Sequence, residues 1–260
     1  MSKGRRESEF VRSIRLVFLF VQRDLRVRYR GSILGYVWSM VNPLLYMTIL
    51  TFVFKHVMSV KVENYSMYIL SGMLCWNLFH QSLAIGVNSL VSSGALLKKV
   101  KVSAILFPAA AECSVLVNFF LALIPYLIIG FFTGLNFTGW FFLLPLILIP
   151  YLIFIFGVAL SVACLNVFFR DVGHTIDSIL TIIFYATPII YQTSTLPEKY
   201  QLILSFNPIS HYLALIRDVM FLGRAPSLNH LAYALVFSSI SLFIGLFIYA
   251  KTRDKIVFKI

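Results

Sequence analysis

Apolar positions in this chain follow two rhythms, and the rhythm changes after residue 25. From 8 to 25, Phe10, Val11, Ile14, Val17, Phe18, Val21 and Leu25 recur at three- and four-residue steps, with Arg12, Arg15, Gln22 and Arg23 between them. That spacing is the repeat of a helix with one apolar face, and the basic opposite face suits a helix lying in a membrane interface. Docking of that face on a partner or a core is the competing reading. The basic run Arg26-Val-Arg-Tyr-Arg30 follows, and beyond it the apolar stretches lengthen.

Six such stretches run over 33–54, 68–91, 107–132, 141–168, 176–191 and 231–249. A helical bilayer crossing needs about 20 apolar residues, so each is read as one crossing. No charge falls between Cys113 and Phe169, a run too long for a single helix, and Thr133-Gly134-Leu135-Asn136 supplies the turn that divides it. The fifth stretch is near the lower length limit, and Thr187-Pro188 predicts a kink or an end there. Between Gln192 and Asn229 lie two apolar pieces, 200–206 and 209–222, bounded by Pro197 and by Asn207-Pro208. Each is too short to cross, so the expected form is two re-entrant helices on the outer side. Arg217 and Asp218 sit in the second piece; adjacent helix residues do not face one another, so each should pair elsewhere. The fold class predicted for 1–260 is therefore one all-α integral membrane domain: an N-terminal amphipathic interface helix, six transmembrane helices and two short re-entrant helices between the fifth and sixth.

Composition agrees. Sixty per cent hydrophobic and 12 % charged residues, with a mean hydropathy of +0.88, exclude an ordinary soluble domain, in which roughly 25 % are charged. A net charge of +12 would suit nucleic acid, but the basic residues cluster at the ends of apolar runs, where anionic headgroups lie. The membrane is thus the expected partner and nucleic acid is not. Seventeen of the 22 Lys and Arg fall before Gly31, at Lys98, Lys99, Lys101 and Arg170, or after Tyr249. The positive-inside rule then places both termini in the cytoplasm. The apolar run 16–21 is shorter than a secretory h-region and lacks a small-residue cleavage site, so it is expected to remain in the mature chain.

Little in the sequence points to catalysis. There is no Gly-Lys dipeptide, hence no phosphate-binding loop for ATP. The five histidines are scattered and the three cysteines lie in apolar stretches without metal-ligand spacing, so no metal, catalytic residue or resident cofactor is expected. Glu112, inside the third stretch, is expected to face the bundle interior or to pair with a basic group from the inner surface. Trp38, Tyr46, Trp76, Phe79, Phe184 and Tyr185 lie away from the predicted turns and are candidate stacking surfaces for sugar rings along a passage; packing or interfacial anchoring is the competing role for each.

Several fragments in order, Arg23-Asp-Leu-Arg-Val-Arg-Tyr-Arg-Gly-Ser-Ile-Leu-Gly-Tyr-Val-Trp38, Asn42-Pro43-Leu44-Leu45, Leu165-Asn-Val-Phe-Phe-Arg-Asp171, Phe184-Tyr-Ala-Thr-Pro-Ile-Ile-Tyr191 and Asn207-Pro208, resemble the permease subunits of ATP-binding-cassette exporters of bacterial O-antigens, capsules and teichoic acids. The resemblance covers nearly the whole chain. It implies a homodimer of six-helix subunits in the bacterial inner membrane, bound by two cytoplasmic ATPase subunits that hold the ATP and Mg. It implies a substrate built on undecaprenyl diphosphate, a lipid-linked glycan with O-antigen foremost. It also implies that Leu96, Leu97, Lys98, Lys99, Val100 and Lys101, in the 96–103 loop, contact the ATPase, and that the outer helices carrying Pro197, Asn207, Pro208, Arg217 and Asp218 form a gate. Arg26, Arg28 and Arg30 would attract the pyrophosphate, with bilayer anchoring as the competing role. The alternatives are a membrane-embedded transferase acting on lipid-linked sugars, for which only Asp171 and Asp177 are candidate acids, and a permease for a drug or small lipid.

Overall fold

At membrane depth no water is available to bond the backbone, so apolar chain folds into helices that satisfy it internally. The computed structural model describes residues 9–57, 63–100 and 102–260, with side chains except at 9, 10 and 55–57. Lys101, Lys61, Lys3, Arg5 and Arg6 lie outside the described residues. All regular structure among the described residues is helical. The helices are α1 (Glu9–Arg28), α2 (Trp38–Thr51), α3 (Tyr65–Ser92), α4 (Gly94–Lys99), α5 (Leu106–Phe132), α6 (Leu144–Phe168), α7 (Asp171–Tyr185), α8 (Glu198–Ser205), α9 (Pro208–Met220) and α10 (Leu228–Lys259). Among the described residues four stretches are long and apolar enough to cross a membrane: Gly35–Phe54, Leu106–Phe132, Gly139–Phe168 and Leu228–Lys259.

Three boundaries depart from the sequence pattern. The helix expected over 176–191 is α7, which starts at Asp171 and stops at Tyr185. An acid in the first turn favours the earlier start, and Pro188 disfavours helix in the residues before it. The helix expected over 231–249 runs on to Lys259, because Ile256 is buried and gives its charged last turns an anchored face. Within the 96–103 connection, where the family resemblance implies a short coupling helix, the chain is helical through Lys99, and that helix starts earlier, at Gly94.

Side-chain bonds between helices fix their relative directions. Tyr151 Oη donates to the Cys75 carbonyl (2.9 Å) and the Asn166 amide to the Val87 carbonyl (3.0 Å), so α3 and α6 run the same way. Ser238 and Ser241 donate to the carbonyls of Pro150 and Phe154, which sets α10 alongside α6 in that direction. Met67 lies against Gly130, whereas Leu90 and Phe107 share a cluster, so α5 runs opposite to α3. Trp76 meets Phe184 while Asn88 and Asn166 hold the start of α7, so α7 also opposes α3. One end of the bundle therefore gathers α4, the start of α5 and the last turns of α6 and α10. The other gathers α8, α9, the 133–143 connection and the starts of α3 and α10.

The closest packing joins α6 to α10, where a Cβ on Gly157 would collide with the Ser241 backbone and one on Gly245 with the Gly157 carbonyl. Small residues at such a contact let two backbones approach, which is how helices gain packing energy where lipid removes any hydrophobic advantage. The 28-residue α3 is enclosed on most sides. By contrast α2 exposes Leu45, Tyr46 and Ile49, Phe52 just beyond it is exposed as well, and α7 exposes Ile179, Ile182 and Tyr185.

Candidate functional site

At the first end, the α3 helix stops at Ser92 and the chain turns through Ser93 into α4. Leu97 is buried and Leu96 packs partly against the same cluster, whereas Lys98, Lys99 and Val100 are exposed. The turn thus presents a basic face on an apolar foot. Lys98 Nζ donates to the Ile260 carbonyl (2.7 Å), and a Cβ on Gly94 would collide with the Ile260 side chain. The end of α10 therefore supports α4, and Gly94, Lys98, Arg170 and Lys259 rim a hollow of about 400 Å³.

On α1, Phe20, Val21 and Leu25 are buried, with Phe20 stacked on Phe107 of α5 at 4.8 Å, whereas Ile14 and Phe18 stay exposed. Its apolar face is divided between the bundle and the outside. Arg26 and Arg30 are exposed and Arg28 half-buried, and none has an ion pair among the described residues.

Between α2, α3 and α7, Tyr46, Trp76, Phe184 and Tyr185 line a hollow of about 230 Å³ together with Asn77 and His80. Trp76 meets Phe184 edge-on at 5.3 Å. Phe79 points elsewhere: it is 3 % exposed and stacks on Phe154 at 6.0 Å. Trp38 lies in the first turn of α2 and does not line this hollow.

The opposite end is organised by one buried arginine. Arg217 is 7 % exposed. Its Nη1 donates to the Pro188 carbonyl (2.6 Å) and Tyr68 Oη (2.8 Å), its Nη2 donates to the Ile189 carbonyl (2.7 Å), and the guanidinium lies 3.6 Å over the Tyr68 ring. Burial lowers its pKa from the ordinary value, opposed first by Tyr68, yet a guanidinium stays charged in proteins. Asp218 turns the other way, bonding Arg224 Nη2 and Nε (both 2.8 Å) and accepting from Ser227 N (3.1 Å). The two neighbours thus pair elsewhere, as helix geometry requires. Pro197 precedes α8, and Asn207 caps α9, its Oδ1 accepting from Ile209 N (3.0 Å) while its Nδ2 donates to Thr187 Oγ1 (2.9 Å). Pro208 takes the first helical position, where a missing N–H costs nothing.

Two features escaped the sequence. His211 and His230, distant along the chain, bring their Nδ1 atoms to 2.9 Å, with His211 Nε2 2.8 Å from the Ser205 carbonyl. A carbonyl only accepts, so His211 Nε2 carries a proton and the imidazoles share another; no spacing rule signals such a pair across two helices. Gly72 provides the flat seat for Arg217, since a Cβ there would fall 2.8 Å from Nη2. Of the two roles expected for Glu112, burial at 6 % exposure fits the one that faces the bundle interior, and among the described residues its Oε1 has no hydrogen-bond partner. Among the described residues no group of three metal-ligating side chains forms.

Residues 15–221, from α1 through α9, match the ABC-2 type transporter family. The sequence is 32 % identical over 240 residues to an O-antigen export system permease protein RfbA of Klebsiella pneumoniae, covering 92 % of each chain. It is 30 % identical over 242 residues to an RfbA permease of Myxococcus xanthus (92 % and 93 % covered). It is 25 % identical over 257 residues to a polysialic acid transport protein KpsM of Escherichia coli (94 % and 95 % covered). With a match of that extent on a bundle of long apolar helices, this chain belongs to the ABC-2 type transporter family.

Proposed function

We propose that this chain is the membrane subunit of an ATP-driven exporter that moves a lipid-linked polysaccharide, O-antigen foremost, across the bacterial inner membrane. The observation that carries the reading is the similarity over 92 % of the chain to an O-antigen export permease. The absence of a phosphate-binding loop agrees with it, because ATP and Mg would then be handled by two separate cytoplasmic subunits.

Ser39 shares a hollow with Gln81 and Tyr46 one with Met73, so α2 opposes α3, and the alternating directions of α2, α3, α5, α6, α7 and α10 support six crossings. Helix α1 and the end of α10 then share the α4 side, and because most of the Lys and Arg of the sequence belong to these segments, that side faces the cytoplasm. Tyr212 of α9 bonds Ser238, ten residues into α10, or about 15 Å along it. That depth supports α8 and α9 as re-entrant helices, with Pro197 and Asn207-Pro208 as their breaks and Arg217 and Asp218 holding the outer gate. The exposed apolar faces of α2 and α7 meet a second copy, and the conduit between copies runs past Tyr46, Trp76, Phe184 and Tyr185, with Trp38 toward the α2 start and Phe79 packed behind. Arg26, Arg28 and Arg30 receive the pyrophosphate of the lipid carrier at the inner surface.

Coupling is mechanical in this reading. The ATPase presses on Leu96, Leu97, Lys98, Lys99, Val100 and Lys101, and the Lys98 bond to Ile260 carries the movement into α10. Replacing Lys98, Lys99 and Lys101 with Glu is expected to abolish glycan export while membrane insertion persists; normal export by that variant would remove the coupling assignment. Nucleotide hydrolysis by the purified chain alone would remove the larger reading.

A further inference from the structure

A cavity of about 450 Å³ opens between α8, α9 and the segment at 188–194, within the size range of small-ligand sites. It is separate from the aromatic hollow between α2, α3 and α7, and its walls include Tyr68, Gln192, Gln201, Ser210 and Arg217. Among the described residues, two of these carry a buried polar atom without a partner, Arg217 Nε and Ser210 Oγ. Orphaned polar atoms are uncommon in folded proteins, and each costs about 1–3 kcal/mol unless something outside the chain bonds it. The charge balance adds a second argument. Arg217 meets carbonyls and Tyr68, and the neighbouring Asp218 is committed to Arg224, so among the described residues no carboxylate neutralises this buried guanidinium. Arg217, Arg224 and Asp218 are the lining residues that carry a fixed charge, which leaves the cavity net positive.

We propose that this cavity binds an acidic sugar unit of the exported glycan, with a carboxylate balancing Arg217 and ring hydroxyls meeting Ser210, Gln192 and Gln201. The inference rests on the exporter reading above. Gln201 Nε2 already donates to the Leu196 carbonyl, which leaves its Oε1 to accept. Hydroxyl and amide groups that both give and take hydrogen bonds are what a polyol requires when it leaves water. A glycerol phosphate headgroup would supply the same negative charge without a ring of hydroxyls, so these walls favour the sugar.

The test uses the full-length chain with its ATPase subunits in phosphatidylcholine nanodiscs, probed with methyl glucuronide, methyl glucoside and glycerol 1-phosphate by saturation-transfer NMR and calorimetry. Glucuronide is expected to bind about tenfold more tightly than glucoside, the worth of one charge-assisted hydrogen bond. Ser210→Phe, which fills the cavity, should remove that binding, and Gln192→Ala, a milder change to the wall, should weaken it even where the first variant fails to fold. Equal binding of the two glycosides, tighter binding of glycerol 1-phosphate, or glucuronide binding unchanged in the folded variants would overturn the proposal. Surface glycan on cells lacking the chain reports on the other reading separately. Export lost without sugar binding removes only the cavity assignment, and export unchanged removes the exporter reading.

Discussion

Replacing Gly72 with Ala tests whether Arg217 is as firmly held as its contacts indicate. An added Cβ would lie 2.8 Å from Arg217 Nη2, 3.1 Å from Ile189 Cγ2 and 3.3 Å from the Ile189 carbonyl oxygen. The far end of a long side chain normally swings away from such a methyl at little cost. Here it is tied to the carbonyls of Pro188 and Ile189, in a segment that Tyr65 and Tyr68 hold against the first turns of α3. Making room costs the better part of one hydrogen bond to a charged group, about 1.5–3 kcal/mol. The gain from Ala over Gly inside a helix offsets about 0.5–1 kcal/mol of that. The net expectation is a loss of roughly 1–2 kcal/mol, read as a fall of several degrees in the unfolding midpoint of purified protein. Intrinsic fluorescence in detergent would follow the transition. Gly139→Ala is the control, since nothing lies within 4 Å of its added Cβ. In an Arg217→Met background the Gly72→Ala penalty should shrink, because its tightest contact is the one with Arg217 and those with Ile189 remain. A raised midpoint for Gly72→Ala alone, or an equal penalty in both backgrounds, would refute the reasoning.

Other perturbations probe the remaining contacts. Gly157→Ala forces α6 and α10 apart, because its methyl meets the Ser241 backbone, which cannot turn aside; overpacking of this kind costs about 1–3 kcal/mol, and thermal unfolding should show it. Asn166→Ala removes the donation to the Val87 carbonyl and the acceptance from Gly173 N, both near 3 Å. Hydrogen exchange at the start of α7 should accelerate, with stability reduced by about 1–3 kcal/mol. In detergent, a small maleimide should modify Cys113, which is exposed, and leave Cys75 and Cys164, which are buried; rapid labelling of Cys164 would contradict the α6 packing.

How far the sequence reaches can be judged helix by helix. The uncharged run after Cys113 divides at Gly134, whose φ of +73° belongs to the left-handed region that glycine tolerates, and α5 and α6 lie on either side. The α8 and α9 helices start beside the breaks read at Pro197 and Pro208. Proline acts through its own ring and missing N–H, so its effect is local and legible. The end of α10 was missed because its last turns are charged, and only contact at Ile256 explains their helicity.

Hydropathy, charge asymmetry and turn residues are properties of short windows, so the sequence by itself determined the apolar helical character, most helix positions and the missing nucleotide loop. Which side chains meet depends on how helices distant in the chain rotate against one another, and no window contains that information. The seat of Arg217 on Gly72, the turning of Asp218 toward Arg224, the pairing of His211 with His230 and the support of α4 by Ile260 were decided by the tertiary structure alone. Each joins residues that local rules treat separately. The cavity beside Arg217 belongs with them, because an unneutralised buried charge can be recognised only once every possible partner has been placed.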